Sequence, residues 1–377
     1  MKKSVLFVND EMTMGGVARI LNTFLKYIDR NKYDVDLLVL HKRGELLEEV
    51  PEGVNIIEGT NFFKTIDIPL KQCKGINLFN KLRLLFYMKT GLIKDKIKTE
   101  RKKILNKQYD IEFSAKEGFC TIFTAYGDSK KKINWIQTDY KKENYSKNNM
   151  HLMKEALKKI DINIACSIVA KDSYQEIFNV NNICIINNLM DIDRVKELSA
   201  IDNAKKESDN KIKLVTVARF HKQKGLDRLI RAYSKLKENC HLTIIGDGDL
   251  RKELYSLAKE NDCFDDIDWL GIMNNPYPVI KKSDIFVMSS IYEGYPTITI
   301  ESLLCGTPVL TTLVAGVEEQ INESNGWIVE NSEDALFRKL NELVDRKEEI
   351  ETKKANIINY KYDNNSILRK YYQIFDS

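Results

Sequence analysis

The run Ile285-Phe286-Val287-Met288-Ser289-Ser290-Ile291-Tyr292-Glu293-Gly294-Tyr295-Pro296-Thr297-Ile298-Thr299-Ile300-Glu301, continued by Ser302-Leu303-Leu304-Cys305-Gly306-Thr307-Pro308-Val309-Leu310, decides how this chain is built. Its apolar opening, Ile285 to Ser290, reads as a buried strand that ends in a turn. Pro296 then opens a short helix, because the amide that proline lacks would be unpaired in a first helical turn. The helix stops near Gly306, and a second apolar strand follows from Pro308. Glu293 thus stands on the loop before a helix N-terminus, and Glu301 lies about two turns into the helix. The open amides after Pro296 make a phosphate site. An anion site flanked by two carboxylates that seek hydroxyls suits a sugar nucleotide; a capped helix with Glu301 in solvent would satisfy the same spacing.

Working outward, both halves of the chain alternate short β-branched runs with helical periodicity, the pattern of parallel sheets with crossover helices. Strands are expected at Val5–Asn9, Val35–Leu40, Asp110–Phe113, Ile133–Ile136, Ile162–Cys166 and Ile183–Ile186, and then at Ile212–Ala218, Leu242–Ile245, Ile267–Leu270, Ile285–Ser289, Val309–Thr311 and Trp327–Val329. At 377 residues the chain exceeds one ordinary core. Two doubly wound domains are expected: residues 1–190, and residues 191–356 beyond a hinge at Asn187-Asn188-Leu189-Met190-Asp191. The polar stretch Asp202 to Lys211 reads as exposed. The aromatic-rich end, residues 357–377, carries Tyr371, Tyr372 and Phe375 at helical spacing and is expected to pack back on the first domain.

Composition bounds the function. Hydrophobic and charged fractions of 43% and 30% are those of a soluble globular protein, and no apolar run is long enough to span a bilayer. The opening Met1-Lys2-Lys3 and its short apolar run are cut off by Asn9, Asp10 and Glu11, so they read as a first strand rather than a signal peptide. Seven scattered cysteines without a C-x-x-C fit free thiols in a reducing cytoplasm, and four histidines without a pair at helix spacing give no metal site. Residues 1–190 hold 32 Lys and Arg against 23 Asp and Glu, whereas the remainder holds 27 against 32. A basic first half on an acidic second half points the first half toward an anionic surface or polyanion.

Several other segments carry chemistry. The first strand runs into Gly15-Gly16 at the start of a helix, where a ligand can approach the backbone; a tight strand-to-helix turn needs the same residues. Arg219, at the end of a strand, and Lys224, just before the next helix, would pair with a diphosphate at the carboxyl edge of a doubly wound sheet, unless they belong to a solvated basic loop. Gly246-Asp247-Gly248 follows another strand, its glycines able to face a nucleotide or to make a simple turn, with Asp249 placed to cap the helix beyond it.

Together these segments resemble the retaining GT-B glycosyltransferases of the large family 4 type. The match rests on Gly15-Gly16, Arg219 with Lys224, Gly246-Asp247-Gly248, Glu293-Gly294-Tyr295-Pro296 with Glu301 (an E-x7-E spacing), and Gly306-Thr307-Pro308-Val309. It covers the second half almost throughout and the first half in patches. The resemblance implies two Rossmann-like domains facing across a cleft, a nucleotide-binding second domain and an acceptor-binding first domain. It implies that Arg219 and Lys224 neutralise the donor diphosphate, that Glu301 takes the ribose hydroxyls, and that Glu293 holds the transferred sugar. The amides around Tyr295, Pro296, Thr297 and Ile298 would meet phosphate, Gly16 would approach the donor from the other domain, and the base would lie against Gly271-Ile272-Met273-Asn274. Catalysis would be electrostatic, with the cations stabilising the departing diphosphate and neither cofactor nor metal required. Many relatives carry histidine where this chain has Gln137; glutamine can bond a sugar hydroxyl but cannot take a proton near neutral pH. Asp139 is a candidate helper there, or a helix cap.

The expected activity is hexose or N-acetylhexosamine transfer, from a UDP-sugar, to a lipid-linked or polysaccharide acceptor in bacterial surface-glycan assembly such as capsule. The expected location is the cytoplasm, peripherally at the inner face of the plasma membrane. A non-catalytic GT-B partner subunit is an alternative, as is a nucleotide-sugar epimerase. A metal-binding D-x-D at Asp34/Asp36, Asp191/Asp193 or Asp266/Asp268 is set aside because each abuts a strand or hinge. The segment Lys71 to Lys107 carries 12 cations against Asp95 and Glu100, interleaved with apolar residues at helical spacing. It reads as a basic amphipathic helix for an anionic membrane surface, or as a domain helix with a solvated basic face. No RNA-binding signature or zinc finger points to nucleic acid.

Overall fold

A computed structural model describes residues 2–142, 147–201 and 211–377. The stretch Asp202 to Lys211, expected to be exposed, lies outside the described residues except for Lys211. The chain divides into two compact units, residues 1–189 with 364–377, and residues 190–363. The expected return of the chain at residue 357 therefore comes later. The helix Lys347–Ile357 and the segment after it stay with the second unit, where Ile357 and Tyr360 pack on its apolar core.

The first unit is a seven-stranded sheet. Its strands are β1 (Lys3–Asn9), β2 (Tyr33–Val39), β3 (Asn55–Glu58), β4 (Ile111–Ser114), β5 (Lys131–Ile136), β6 (Ile162–Ala165) and β7 (Ile183–Ile185). All pairings are parallel, in the order β3-β2-β1-β4-β5-β6-β7, with Val5 set against Val35 on one side and Ile111 on the other. Val5 to Val8 are fully buried, as expected for a parallel strand covered on both faces. Helix α1 (Gly16–Tyr27) lays Phe24 on this sheet beside Phe7 and Phe113. The terminal helix Asn364–Asp376 closes the same aromatic cluster: Tyr371 meets Phe24 edge-on at 4.6 Å, and Tyr372 stacks on Tyr33. Lys3 and Lys131 donate to the carbonyls of Phe375 and Ile374 at 2.9 and 2.6 Å.

The second unit is a six-stranded parallel sheet of β8 (Ile212–Val217), β9 (Cys240–Ile245), β10 (Ile267–Gly271), β11 (Ile285–Met288), β12 (Val309–Thr312) and β13 (Gly326–Val329), in the order β10-β9-β8-β11-β12-β13. Side chains alternate across it: Leu214, Val287 and Leu310 enter one apolar cluster, and Val215, Phe286 and Val309 enter the other. In each sheet the strand order reverses once, between β1 and β4 and between β8 and β11. Open α/β sheets bind ligands outside the carboxyl ends of the strands at such reversals.

The segment 71–107 is two helices rather than one, α2 (Ile76–Thr90) and α3 (Ile93–Ile104). Gly91, at φ 75°, takes the left-handed turn that separates them. The basic residues of α3 are not a uniform solvated face. Arg101 is buried and forms a bidentate ion pair with the fully buried Glu112 of β4, both oxygens at 2.7 Å, under the Phe123 ring. Lys96 and Lys103 both bond Glu100, and Lys107 reaches Asp34 and Asp36. Among the described residues no helix is long and apolar enough to cross a membrane.

Candidate functional site

Two loops define the reversal point of the second sheet. One follows β8 and carries Arg219 and Lys224; the other follows β11 and carries Glu293. The structure joins them: Lys224 Nζ donates to Glu293 Oε1 at 2.6 Å, and Ser290 Oγ donates to the same oxygen at 2.7 Å. Glu293 is 8% exposed, and the Lys224 side chain 22%. Gln223 holds the second loop from below, donating to the Tyr292 carbonyl at 3.0 Å and lying 3.5 Å from Glu293 Oε2. Arg228 donates to the Ser289 carbonyl, and Asn331 donates to the carbonyls of Ile291 and Leu313. Gly225 is required here: its φ is 58°, and a Cβ would stand 2.3 Å from the Ser289 oxygen. Arg219 is exposed and, among the described residues, has no side-chain partner.

The helix after the second loop is Thr297–Cys305, with Pro296 at its N-cap rather than inside it. Pro296 makes no side-chain cap bond, and among the described residues the amides of Thr297 and Ile298 donate no hydrogen bond. Glu301 is the fifth residue of the helix and thus lies about one turn in, roughly 6 Å along the axis, and not two. It is 8% exposed, so it is not the solvated residue of the alternative reading. Burial first and then the Glu301 charge push the Cys305 thiol up to about 12. Tyr295 turns inward; its hydroxyl lies 3.2 Å from that of Tyr362, and burial drives it up to about 12.

On the neighbouring strands, Gly246 has φ 137°, and a Cβ there would fall 1.9 Å from the Ala218 oxygen. Close packing of the loops after β8 and β9 accounts for Gly246, and Gly248 lies similarly against Phe220. The expected Asp249 cap is not formed. The helix Arg251–Glu260 has no side-chain N-cap bond, and it is Asp247 that binds Arg251 and the Gly248 amide. Gly246 N donates to the Gly271 carbonyl at 2.7 Å, which sets Ile272, 73% exposed, at the same sheet edge, while Met273 packs on the core. A surface cavity of about 750 Å³ opens beside the first loop, lined by Lys222, Leu250, Leu254 and Ile291 among others; none of the expected site residues lines it.

In the first unit the sheet reversal lies between the loops after β1 and β4. Lys116 bonds Asp10 across it at 2.7 Å. Burial works against the Lys116 ammonium, but Asp10 more than offsets this, and its pKa is raised. Gly15 and Gly16 follow on the first loop; a Cβ on Gly16 would meet nothing within 4 Å, so packing does not require glycine there. Gln137, after β5, makes a reciprocal amide pair with the buried Asn188: Gln137 Nε2 donates to Asn188 Oδ1 at 3.1 Å, and Asn188 Nδ2 to Gln137 Oε1 at 2.9 Å. The Gln137 backbone N–H donates to Glu117 Oε2 at 3.3 Å. Asp139 is 8% exposed and accepts from the Lys141 amide at 3.1 Å, the capping role.

Sequence reasoning missed Gln223, Ser290, Arg228, Asn331 and Lys116. Asn188 stood in the expected hinge without a partner, and only the fold brings it to Gln137. The D-x-D pairs are engaged elsewhere: Asp36 accepts from the Tyr109 hydroxyl and pairs with Lys107, Asp268 pairs with His241, and Asp191 caps a helix. Among the described residues no three His, Cys, Asp or Glu side chains gather as a metal-holding group.

Two Rossmann-like parallel sheets with these reversals define the GT-B fold. The whole chain superimposes on TarM with a TM-score of 0.75 at 16% identity, covering 100% of this chain and 99% of that one. It matches Anabaena Alr3699/HepE, solved in complex with UDP, with a TM-score of 0.73 at 16% identity over 100% of both chains. Residues 199–363 match the family described as Glycosyl transferases group 1, so this stretch is a domain of that type. The chain is 32% identical over 164 residues to the N-acetylgalactosamine-N,N'-diacetylbacillosaminyl-diphospho-undecaprenol 4-alpha-N-acetylgalactosaminyltransferase of Campylobacter jejuni, 43% of this chain and 44% of that protein. It is 30% identical over 139 residues to the lipopolysaccharide core biosynthesis glycosyltransferase LpsE of Rhizobium meliloti, 37% of this chain and 38% of that protein. The chain thus spans less than half the length of these curated relatives.

Proposed function

We propose that the protein is a retaining glycosyltransferase that moves a hexose or N-acetylhexosamine from a UDP-sugar to a lipid-linked or polysaccharide acceptor in bacterial surface-glycan synthesis. The observation that carries this reading is the Lys224–Glu293 pair at the reversal of the second sheet, beside the exposed Arg219 and the uncapped 297–305 helix. Two cations and open helix amides suit a diphosphate; two buried carboxylates, one on the loop before the helix and one about a turn into it, suit sugar hydroxyls. In this reading Arg219 and Lys224 stabilise the charge that develops on the leaving nucleotide, Glu301 accepts from the ribose, and Glu293 orients the transferred sugar. No metal is needed, because the cations supply the charge. The names of the Campylobacter and Rhizobium relatives favour a glycan or lipid-linked acceptor, bound by the first unit at the inner face of the membrane.

A non-catalytic partner role has one observation in its favour: Gln137 spends its amide on Asn188 and cannot take a proton. The test is incubation of purified protein with a panel of sugar nucleotides, reading thermal shift and slow release of the nucleotide with and without EDTA. Stabilisation and hydrolysis with one donor, unchanged by EDTA, are the expected result. Stabilisation without any turnover would establish the partner role, and complete loss with EDTA would overturn the metal-free mechanism.

A further inference from the structure

Helix α2 presents an apolar face that nothing among the described residues covers. Its inner face is committed: Leu84 is buried, Tyr87 meets Phe62 edge-on at 5.6 Å, and Lys81 donates to the carbonyls of Thr65 and Ile66 at 2.7 and 3.1 Å. The opposite arc carries Leu78, Phe79, Leu82, Leu85 and Phe86, related by the three-, four-, seven- and eight-residue offsets that place side chains on one helix face. These five are 38–61% exposed, with Phe79 and Phe86 at 61% and 58%. Ile76 and Leu92, 72% and 48% exposed, lie just before and just after this run in the chain. Exposed apolar surface of this continuity marks an interaction site.

The charge around the face selects the partner. From Ile68 to Lys94 there is no Asp or Glu, while Lys71, Lys74 and Lys89 are exposed and, among the described residues, make no side-chain bond. A second copy of the chain would bring the same cations against each other with no carboxylate between them. An anionic bilayer pairs those cations with lipid phosphates and takes the phenyl and leucyl groups at the headgroup–acyl boundary. The inward ion pairs of α3 remove Arg101, Lys96 and Lys103 from this role.

We propose that α2 docks the first unit on an anionic phospholipid bilayer, with Phe79, Leu82 and Phe86 inserted below the headgroups and Lys71, Lys74 and Lys89 at the phosphates. This deepens the functional reading, on which it rests only for placing the enzyme beside a membrane-borne acceptor. The geometry makes binding partly apolar, so salt weakens it without abolishing it.

The experiment is co-sedimentation of the full chain with vesicles of phosphatidylglycerol and phosphatidylcholine, or of phosphatidylcholine alone, at low and high salt. The wild type should bind the anionic vesicles and keep a measurable fraction bound at high salt. F79S/F86S should lower the partition coefficient about tenfold or more at every salt concentration. K71Q, K74Q and K89Q should each cost about fivefold at low salt only. A circular dichroism melt verifies that the variants fold, since all five positions are exposed. Equal binding to neutral vesicles, no vesicle binding, or a solution dimer that F79S/F86S dissolves would overturn the proposal, the last in favour of a second copy. Nucleotide-sugar stabilisation of the wild type and of F79S/F86S, read in parallel, separates the two claims: donor binding without vesicle binding defeats the docking surface alone, and the reverse defeats the transferase reading alone.

Discussion

The two sheet reversals are built on one plan and furnished differently. In each, a lysine on one loop bonds an acid on the other, Lys116 to Asp10 at 2.7 Å in the first unit and Lys224 to Glu293 at 2.6 Å in the second. The second reversal adds an exposed arginine and a helix end with open amides. The first adds carboxamides and a further acid: Gln137, Asn188 and Glu117. Cations and amides recognise phosphate; neutral amides and carboxylates recognise hydroxyls. The same ion pair therefore sits among phosphate-binding groups in one unit and hydroxyl-binding groups in the other.

The sharpest way to break this comparison is to remove what holds the first reversal in place. Glu112 on β4 is fully buried, and burial raises its pKa against the Arg101 charge that lowers it. Arg101→Ala strands that carboxyl and should cost about 3–5 kcal/mol of unfolding free energy in urea. Lys102→Gln, on the exposed neighbour, should cost about 0.5 kcal/mol or less. Equal effects would show that α3 is held by its surface charge after all.

Next in size is the functional contrast. Lys224→Ala should lower transfer about 100- to 1000-fold with the fold intact, and Glu301→Ala should weaken donor binding in thermal shift. Lys116→Met should leave donor binding unchanged and raise the KM for acceptor about tenfold, the effect of one lost interaction. A loss of donor affinity in Lys116→Met would erase the division of labour between the two reversals.

The smallest effect is a pH dependence. Burial would raise the Glu100 carboxyl, but the bonds from Lys103 and Lys96 outweigh it and bring it to about 2. A carboxyl depressed on folding stabilises the native state above its unfolded value near 4.5, and that stabilisation is lost as pH falls toward 2. Glu100→Gln should therefore be less stable than the wild type in urea at pH 7, with the gap narrowing at pH 3. A gap that is constant with pH would mean that packing, not charge, is what the substitution removes.

Strands buried on both faces were legible, because a continuous β-branched run between turn residues has few other uses. The strand β3 was not: Asn55-Ile56-Ile57-Glu58 is a short, half-exposed edge whose polar ends hide the pattern. The site's donor cations and both glutamates could be named from the chain, since charge and spacing are written in it. Their partners could not. Nothing local says that Arg101 turns inward to Glu112, that Asp247 and not Asp249 holds Arg251, or that Asn188 reaches Gln137 across 51 residues. Those are consequences of which strands become neighbours. The glycine at 91 was likewise invisible as a break until its left-handed backbone divided a basic segment into one helix that faces outward and one that faces in.

The terminal helix has a consequence for synthesis. Tyr371 and Phe375 complete an aromatic core whose other members, Phe24, Phe113 and Trp135, leave the ribosome long before them. The whole of residues 190–363 is made in between. At about 5–20 residues per second the nascent first unit waits on the order of 10–40 s with that core open. The second unit is one continuous stretch and can close as soon as it is made, whereas the first keeps that aromatic face open until the last helix arrives.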